Sequence, residues 1–265
     1  MGYSAGMLKA LNRVRFFALF VCVMSAHGCG STSDTPEFSG ALQTATFSGT
    51  YFQPVSLNYW QYVPERANRV ETLPLLLFLH GAGERGDDLK KVLAWGPPKR
   101  IADPYATGIW ADFPAIVIAP QCPDGQWWDI NALIALLDHA ERTLPVDPDR
   151  VYVTGLSMGG YGTWALADRQ PERFAAIVPI CGGYPHHPYV ATTTLRSMPI
   201  WAFHGAADDI VPLRATTEPI EAIRQAGGKP KLTVYPGVGH VSWVPAYETP
   251  ELWEWLFEQR RRPAQ

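Results

Sequence analysis

The sequence predicts a three-layer α/β/α sandwich built on a mostly parallel central sheet. Three observations carry this expectation. Short apolar runs recur along the chain without polar interruption, as in strands buried on both faces. Stretches with helical spacing separate them. With 47% hydrophobic and only 18% charged residues in 265, there is enough apolar material for one sizeable core.

The N-terminal segment reads as an address rather than as part of that core. Lys9, Arg13 and Arg15 precede an apolar run from Phe16 to Ala26, the length of a signal-peptide core and too short to span a bilayer. Small residues follow, then Cys29, an arrangement like a bacterial lipoprotein processing site. The position three before the cysteine is Ala26 where such sites usually carry Leu. The expected organisation is a signal peptide over 1–28, lipid on Cys29, a flexible tether over 29–40 (GSTSDTPEFSG after the cysteine) and a catalytic domain over 41–265. Export would expose the domain to an oxidising compartment. Of the four cysteines, Cys122 and Cys181 then remain, either as a disulfide or as two buried thiols.

The body opens with β-like runs at Thr44–Phe47 and Leu57–Val63. Strands are then expected at Leu73–Leu79, Ala115–Ala119, Arg150–Thr154, Ala175–Ile180, Ile200–Phe203 and Lys231–Tyr235. Helices are expected at Asp129–Arg142, with Asp129 as its cap, and at Met158–Gln170, Thr216–Ala226 and Glu251–Arg261. The interval between the strands ending near Cys181 and starting near Ile200 is too short for a large cap domain. A site at that rim should be open to solvent.

The chemistry concentrates in three places. Gly155-Leu156-Ser157-Met158-Gly159 is a G-x-S-x-G pentapeptide directly after an apolar run and before a helical one, the context in which such a turn lifts a serine hydroxyl above the sheet. A serine needs a base. His240 lies in a loop just past the last apolar strand and is the best placed histidine. His139 sits on a helix face, and His186 and His187 in a proline-rich loop. His80 and His204 each precede a glycine at a strand end, where an imidazole usually makes structural hydrogen bonds. The base needs an acid to orient it. Asp208 and Asp209 both lie at the carboxyl end of the preceding strand. Oxyanion donors are expected from the backbone N–H of Met158 and from the His80-Gly81-Ala82-Gly83 loop, assigned to Ala82 with Gly81 and Gly83 as alternatives. This chemistry calls for no metal or cofactor.

Several segments together resemble α/β-hydrolases: LFLHGAGERGDD (Leu77–Asp88), APQCP (Ala119–Pro123), VYVTGLSMGGYGTW (Val151–Trp164), ICGG (Ile180–Gly183), FHGAADDIVP (Phe203–Pro212) and the His240 loop. They are similar in detail to secreted esterases grouped as predicted peptidases or phospholipase/carboxylesterases, relatives of feruloyl and acetylxylan esterases and polyhydroxyalkanoate depolymerases. The resemblance spans nearly all of residues 45–260. Its H-G-x-x-D-x-x-V-P pattern falls on Asp208, which implies Asp208 rather than Asp209 as the triad acid.

Aromatic residues near these loops offer a substrate surface: Trp127, Trp128, Trp243 and Tyr161, with Arg85 in the oxyanion loop. The residues selected for substrate binding are Trp128, Trp243, Tyr161 and Arg85. Trp60, Trp164 and Trp201 read as core. The expected function is hydrolysis of carboxylic esters, small or on a polymer, through an acyl-enzyme. A serine peptidase with the same triad and a non-catalytic binding lipoprotein are the competing readings. A net charge of −3 gives no reason to expect nucleic-acid binding. Nothing in the sequence sets the oligomeric state.

Overall fold

The structure, a computed structural model, describes residues 37–261 apart from Phe52 and Glu71. The expectations for the signal peptide and for lipid on Cys29 lie outside these residues. The tether was expected to run to residue 40, but Phe38 is already tied down. Its N–H donates to Asn68 Oδ1 at 2.8 Å and its carbonyl accepts from Asn68 Nδ2 at 2.9 Å, while its ring packs on the core. The anchored chain therefore begins before the boundary placed at Ala41.

In chain order the elements are β1 (Leu42–Tyr51), β2 (Gln53–Tyr62), β3 (Leu73–Leu79), α1 (Gly96–Ala102), β4 (Ile116–Pro120), α2 (Ile130–Thr143), β5 (Val146–Leu156), α3 (Met158–Arg169), β6 (Ala176–Ile180), α4 (Pro188–Thr194), β7 (Trp201–Gly205), α5 (Arg214–Gln225), β8 (Lys231–Tyr235), α6 (Trp243–Tyr247) and α7 (Pro250–Glu258). Eight strands form one sheet in the order β1-β2-β4-β3-β5-β6-β7-β8. β1 pairs antiparallel with β2, and β2 antiparallel with β4. From β4 to β8 all pairings are parallel.

Burial explains the sequence pattern. All seven residues of β3, LPLLLFL, are buried, and they alternate between two cores. Leu75, Leu77 and Leu79 join one cluster with Leu133 and Leu137 of α2, Trp164 of α3 and Ile220 of α5. Leu76 and Phe78 join the other, with Tyr247 of α6 and Leu252, Trp253 and Leu256 of α7. Side chains of a strand alternate between faces, so a strand with a core on each face has no polar position. Each such Leu or Phe contributes about 1.5–3 kcal/mol by leaving water. α2 starts at Ile130 because Asp129 Oδ1 accepts from the N–H groups of Asn131 (2.9 Å) and Ala132 (3.2 Å).

The tryptophans go largely into the second core. Trp110 stacks on Phe113 at 5.0 Å, and Trp253 meets both edge-on. Trp164 is fully buried in the first core, and the half-buried Trp60 and Trp201 pack against the second, so all three lie on a core as expected. Among the described residues no helix is long and apolar enough to cross a membrane.

The registers decide where function sits. Leu79 pairs with Gly155, Leu156 with Ile180, Ile180 with Phe203, and Gly205 with Tyr235. The carboxyl ends of five parallel strands are thus level. The loops that follow them emerge side by side, which is where ligands bind on open α/β sheets.

Candidate active site

Ser157 occupies the single residue between β5 and α3. Its backbone has φ 53 and ψ −117, a left-handed geometry that is costly for a residue with a Cβ. Its N–H donates to Ile180 O at 2.9 Å, which fixes the turn to β6. The flanking glycines answer to backbone, not to flexibility. A Cβ on Gly155 would stand 2.7 Å from Leu79 O, and one on Gly159 would stand 2.7 Å from His80 O and closer still to Leu79 O. Helix α3 therefore starts directly against the end of β3.

The three side chains expected to act together are in contact. His240 Nε2 lies 2.8 Å from Ser157 Oγ, and His240 Nδ1 lies 2.8 Å from Asp208 Oδ2. The other oxygen of Asp208 accepts from the N–H groups of Ile210 (3.0 Å) and Val211 (2.9 Å). Burial would push this carboxyl up, but the bond to His240 and the two backbone N–H groups outweigh it and hold it below its ordinary range. Asp209, next in sequence, is exposed. The acid and base loops meet because Gly205 lacks a side chain: a Cβ there would run into the Val238 and Gly239 backbone. Ala207 N–H donating to Val238 O at 2.9 Å seals the contact.

Opposite the serine lies the loop after β3. Met158 is the first residue of α3, so its N–H has no acceptor within the helix. Ala82 opens a short 3-10 turn, Ala82–Glu84. The Glu84 carboxyl bonds back to the Gly81 backbone and to the Trp95 side chain; burial pushes it up against these bonds. The loop is stapled from several sides. Arg85 Nε donates to Ala82 O (2.9 Å) and its guanidinium to Gln126 O (3.1 Å). Buried Gln121 donates to both Glu84 O and Asp88 O at 2.8 Å. His80 is also buried: Nδ1 donates to Gly81 O at 2.6 Å and Nε2 accepts from Cys122 N–H at 2.9 Å. Burial lowers it from 6.5 to about 4, with Gly81 opposing and Arg85 assisting. It is a neutral brace, the structural role expected for it.

The substrate-side expectations need correction at two positions. Trp128 is buried, its ring tilted against that of His80 at 4.7 Å, and it donates to His80 O at 3.3 Å. It supports the oxyanion loop from beneath. Trp243 is buried as well, edge-on to His240 at 5.4 Å and to Trp95 at 5.8 Å. It backs the base. Both were placed at the mouth because sequence proximity to site residues does not say which way a ring points. Tyr161 is half-buried one helical turn past Ser157, and the exposed Trp127 meets it edge-on at 5.9 Å. Arg85 spends its donors on backbone carbonyls.

Cys122 and Cys181 are both free, buried thiols, so the disulfide alternative is not realised. Cys181 follows β6 with φ 39. Its sulfur lies with the Asp208 and His240 donor atoms inside a 4.8 Å group of ligating types. Burial pushes its thiol up to about 12, and Asp208 and His240 are already bonded to each other. The set is arranged for proton transfer from Ser157.

Comparison with known proteins agrees with this geometry. Residues 128–248, which hold the serine, the acid and the base, match the dienelactone hydrolase family. A thermostable esterase of known structure superposes with a TM-score of 0.71 at 34% identity, over 82% of this chain and 63% of that one. The chain has the α/β-hydrolase fold. NocK of Nocardia uniformis subsp. tsuyamanensis, a protein named for esterase activity, is 28% identical to this chain over 171 residues, 62% of this chain and 48% of NocK. The bifunctional acetylxylan esterase/xylanase XynS20E of Neocallimastix patriciarum is 27% identical over 157 residues, 57% of this chain and 21% of its own. The chain thus spans about half the length, or less, of these curated relatives.

What the site can do follows from its groups. A neutral imidazole facing a hydroxyl at hydrogen-bond distance can take its proton. A buried carboxylate on the far nitrogen stabilises the imidazolium that results. The free N–H of Met158 at the head of α3, the residue after the serine, is of the kind that holds an oxyanion.

Proposed function

We propose that this chain is a serine carboxylesterase that works through an acyl-enzyme. The observation that carries the reading is the continuous 2.8 Å and 2.8 Å linkage from Ser157 through His240 to Asp208, with the serine held in a left-handed turn at the head of a helix. Ser157 Oγ attacks the ester carbonyl carbon while His240 Nε2 takes its proton. The carbonyl oxygen becomes an oxyanion facing the N–H groups of Met158 and Ala82. The carbon–alkoxide bond breaks, and His240 returns the proton to the leaving alcohol. Water then repeats the sequence on the acyl-enzyme, releasing the acid and restoring Ser157. Each oxyanion donor is worth about 3–4 kcal/mol of barrier.

The substrate we infer is an ester of a sugar or of an aromatic acid, free or on a polymer. The exposed Trp127 and its edge-on partner Tyr161 support this, since flat apolar faces suit such rings. The name of the Neocallimastix relative points the same way. The name of poly(3-hydroxyalkanoate) depolymerase C of Paucimonas lemoignei, 40% identical over 62 residues, 23% of this chain and 14% of its own, points instead to an aliphatic polyester. Labelling with a fluorophosphonate, then hydrolysis of p-nitrophenyl acetate, methyl ferulate and acetylated xylan, tests the reading. Equal labelling of wild type and Ser157→Ala rejects the mechanism. Activity on p-nitrophenyl acetate alone rejects the substrate class.

A peptidase with the same triad is the second reading. An acylaminoacyl peptidase of Pyrococcus horikoshii has the same fold (TM-score 0.62, 16% identity), but this chain covers only 43% of it. Export with lipid on Cys29 is part of the proposal, supported by Lys9, Arg13, Arg15 and the apolar run after them. Radiolabelled palmitate incorporated by wild type and not by Cys29→Ala in a bacterial host tests it.

A further inference from the structure

Among the titratable side chains beside the triad that the mechanism above leaves unused is a buried histidine. His204, the fourth residue of β7, is fully buried, and its ring lies within hydrogen-bond distance of oxygen atoms at both nitrogens. Nδ1 lies 2.8 Å from Thr216 Oγ1, on α5. That hydroxyl has one hydrogen, and it donates it to Gly182 O at 2.7 Å. Toward His204 the hydroxyl can then only accept, so Nδ1 carries a hydrogen. Nε2 lies 3.0 Å from Val211 O and 3.1 Å from Asp208 Oδ2. A carbonyl and a carboxylate only accept, so Nε2 carries a hydrogen as well.

We infer that His204 is a positioning residue for the triad acid: a buried imidazolium, with a hydrogen on each ring nitrogen, paired with the Asp208 carboxylate on the same oxygen that His240 uses. A buried cation requires a close anion, and Asp208, whose side chain is equally buried, is that anion. The other titratable groups around Asp208 are His240, and Cys181 of the β6 loop and Tyr161 of α3, which feel its charge. Neither thiol nor phenol is anionic near neutral pH, so neither competes for His204.

The consequence lies in the base. Asp208 enters the reaction with part of its charge already balanced. It still orients His240 but draws a proton onto it less strongly than an unpaired carboxylate would. The inference rests on the serine-esterase reading only for this last step.

Two measurements test it. In the full chain with labelled histidine, nitrogen NMR between pH 6 and 9 should show both ring nitrogens of His204 bearing hydrogen throughout. A neutral ring overturns the inference, and this readout needs no substrate. The second is the rate of fluorophosphonate labelling against pH. Thr216→Val removes the acceptor for Nδ1 and should move the acid limb upward by about one pH unit, while Thr216→Ser keeps the wild-type profile. A Val variant that labels more slowly at every pH with its limb unmoved reduces the network to scaffolding and overturns the inference. A wild type that does not label at all counts against the esterase reading and leaves the NMR result standing.

Discussion

Trp127 and Trp128 are neighbours in sequence with opposite fates: Trp127 is 65% exposed and edge-on to Tyr161, whereas Trp128 is buried against His80. Their alanine variants should separate accordingly. Trp127→Ala should leave stability within about 0.5 kcal/mol of wild type and raise KM for methyl ferulate by about 3- to 10-fold. Trp128→Ala should cost about 3–5 kcal/mol and lower kcat by loosening the loop it supports. Urea unfolding and steady-state kinetics decide it. Equal stabilities for the two variants would contradict the assignment.

The backbone of Ser157 makes a second pair of variants informative. Ser157→Ala and Ser157→Gly should both lose at least about 10⁴-fold in kcat, because the nucleophile is gone. Only glycine tolerates φ 53 without strain. Ser157→Gly should therefore unfold at higher urea than Ser157→Ala, by about 1–2 kcal/mol. The reverse order would mean that the turn is not strained.

Asp208 and Asp209 offer a third test. Asp208→Asn should lower kcat by about 10⁴-fold, since the amide favours the wrong imidazole tautomer. Asp209→Asn, at an exposed position, should stay within about twofold of wild type. A large loss at Asp209 would move the acid by one residue.

His80 should give the fold a pH dependence of its own. Its folded value, about 4, is below the ordinary 6.5, first because of burial. Between these values an unfolded chain binds a proton that the folded chain refuses. The contribution is fully present above pH 6.5 and is lost as pH falls from 6.5 to 4, by at most about 3 kcal/mol. Urea midpoints of wild type and His80→Gln at pH 7 and pH 4.5 should converge on acidification. A constant gap would show that His80 is already charged in the native state.

The sheet was legible in the sequence because strands with a core on each face leave no polar residue to blur them. β3 was read to the residue, and so was β8. The antiparallel pair β1 and β2 was found but shortened, because its exposed positions dilute the apolar signal: only Leu57, Tyr59 and Tyr62 of β2 are buried. α1, α4 and α6 went unread. They are five to seven residues long, too short for periodicity to emerge, and all three carry internal or leading prolines. Ser157, His240 and Asp208 were each named in advance, because a turn and two loops at strand ends have compositional signatures. Trp128 and Trp243 were misread for one reason, whereas His204 was read as the structural hydrogen-bonding group it is, without its link to Asp208. Each acts through its orientation, and orientation is a property of packing. The single available signal was that His204 shares a strand end with Asp208, four residues on.

The connection from β6 to β7 is fastened to α3 by one carboxylate: Asp168 Oδ1 receives the Tyr184 hydroxyl at 2.6 Å and the Thr194 hydroxyl as well. The segment that might have become a roof is thus sewn to the flank of the molecule, and Ser157 and His240 keep their contact with solvent. An acylated serine there is bathed by a nucleophile at roughly 55 M. Competing alcohols or amines would have to be recruited against that flood, which makes the architecture suited to cutting bonds and ill suited to swapping acyl groups between partners.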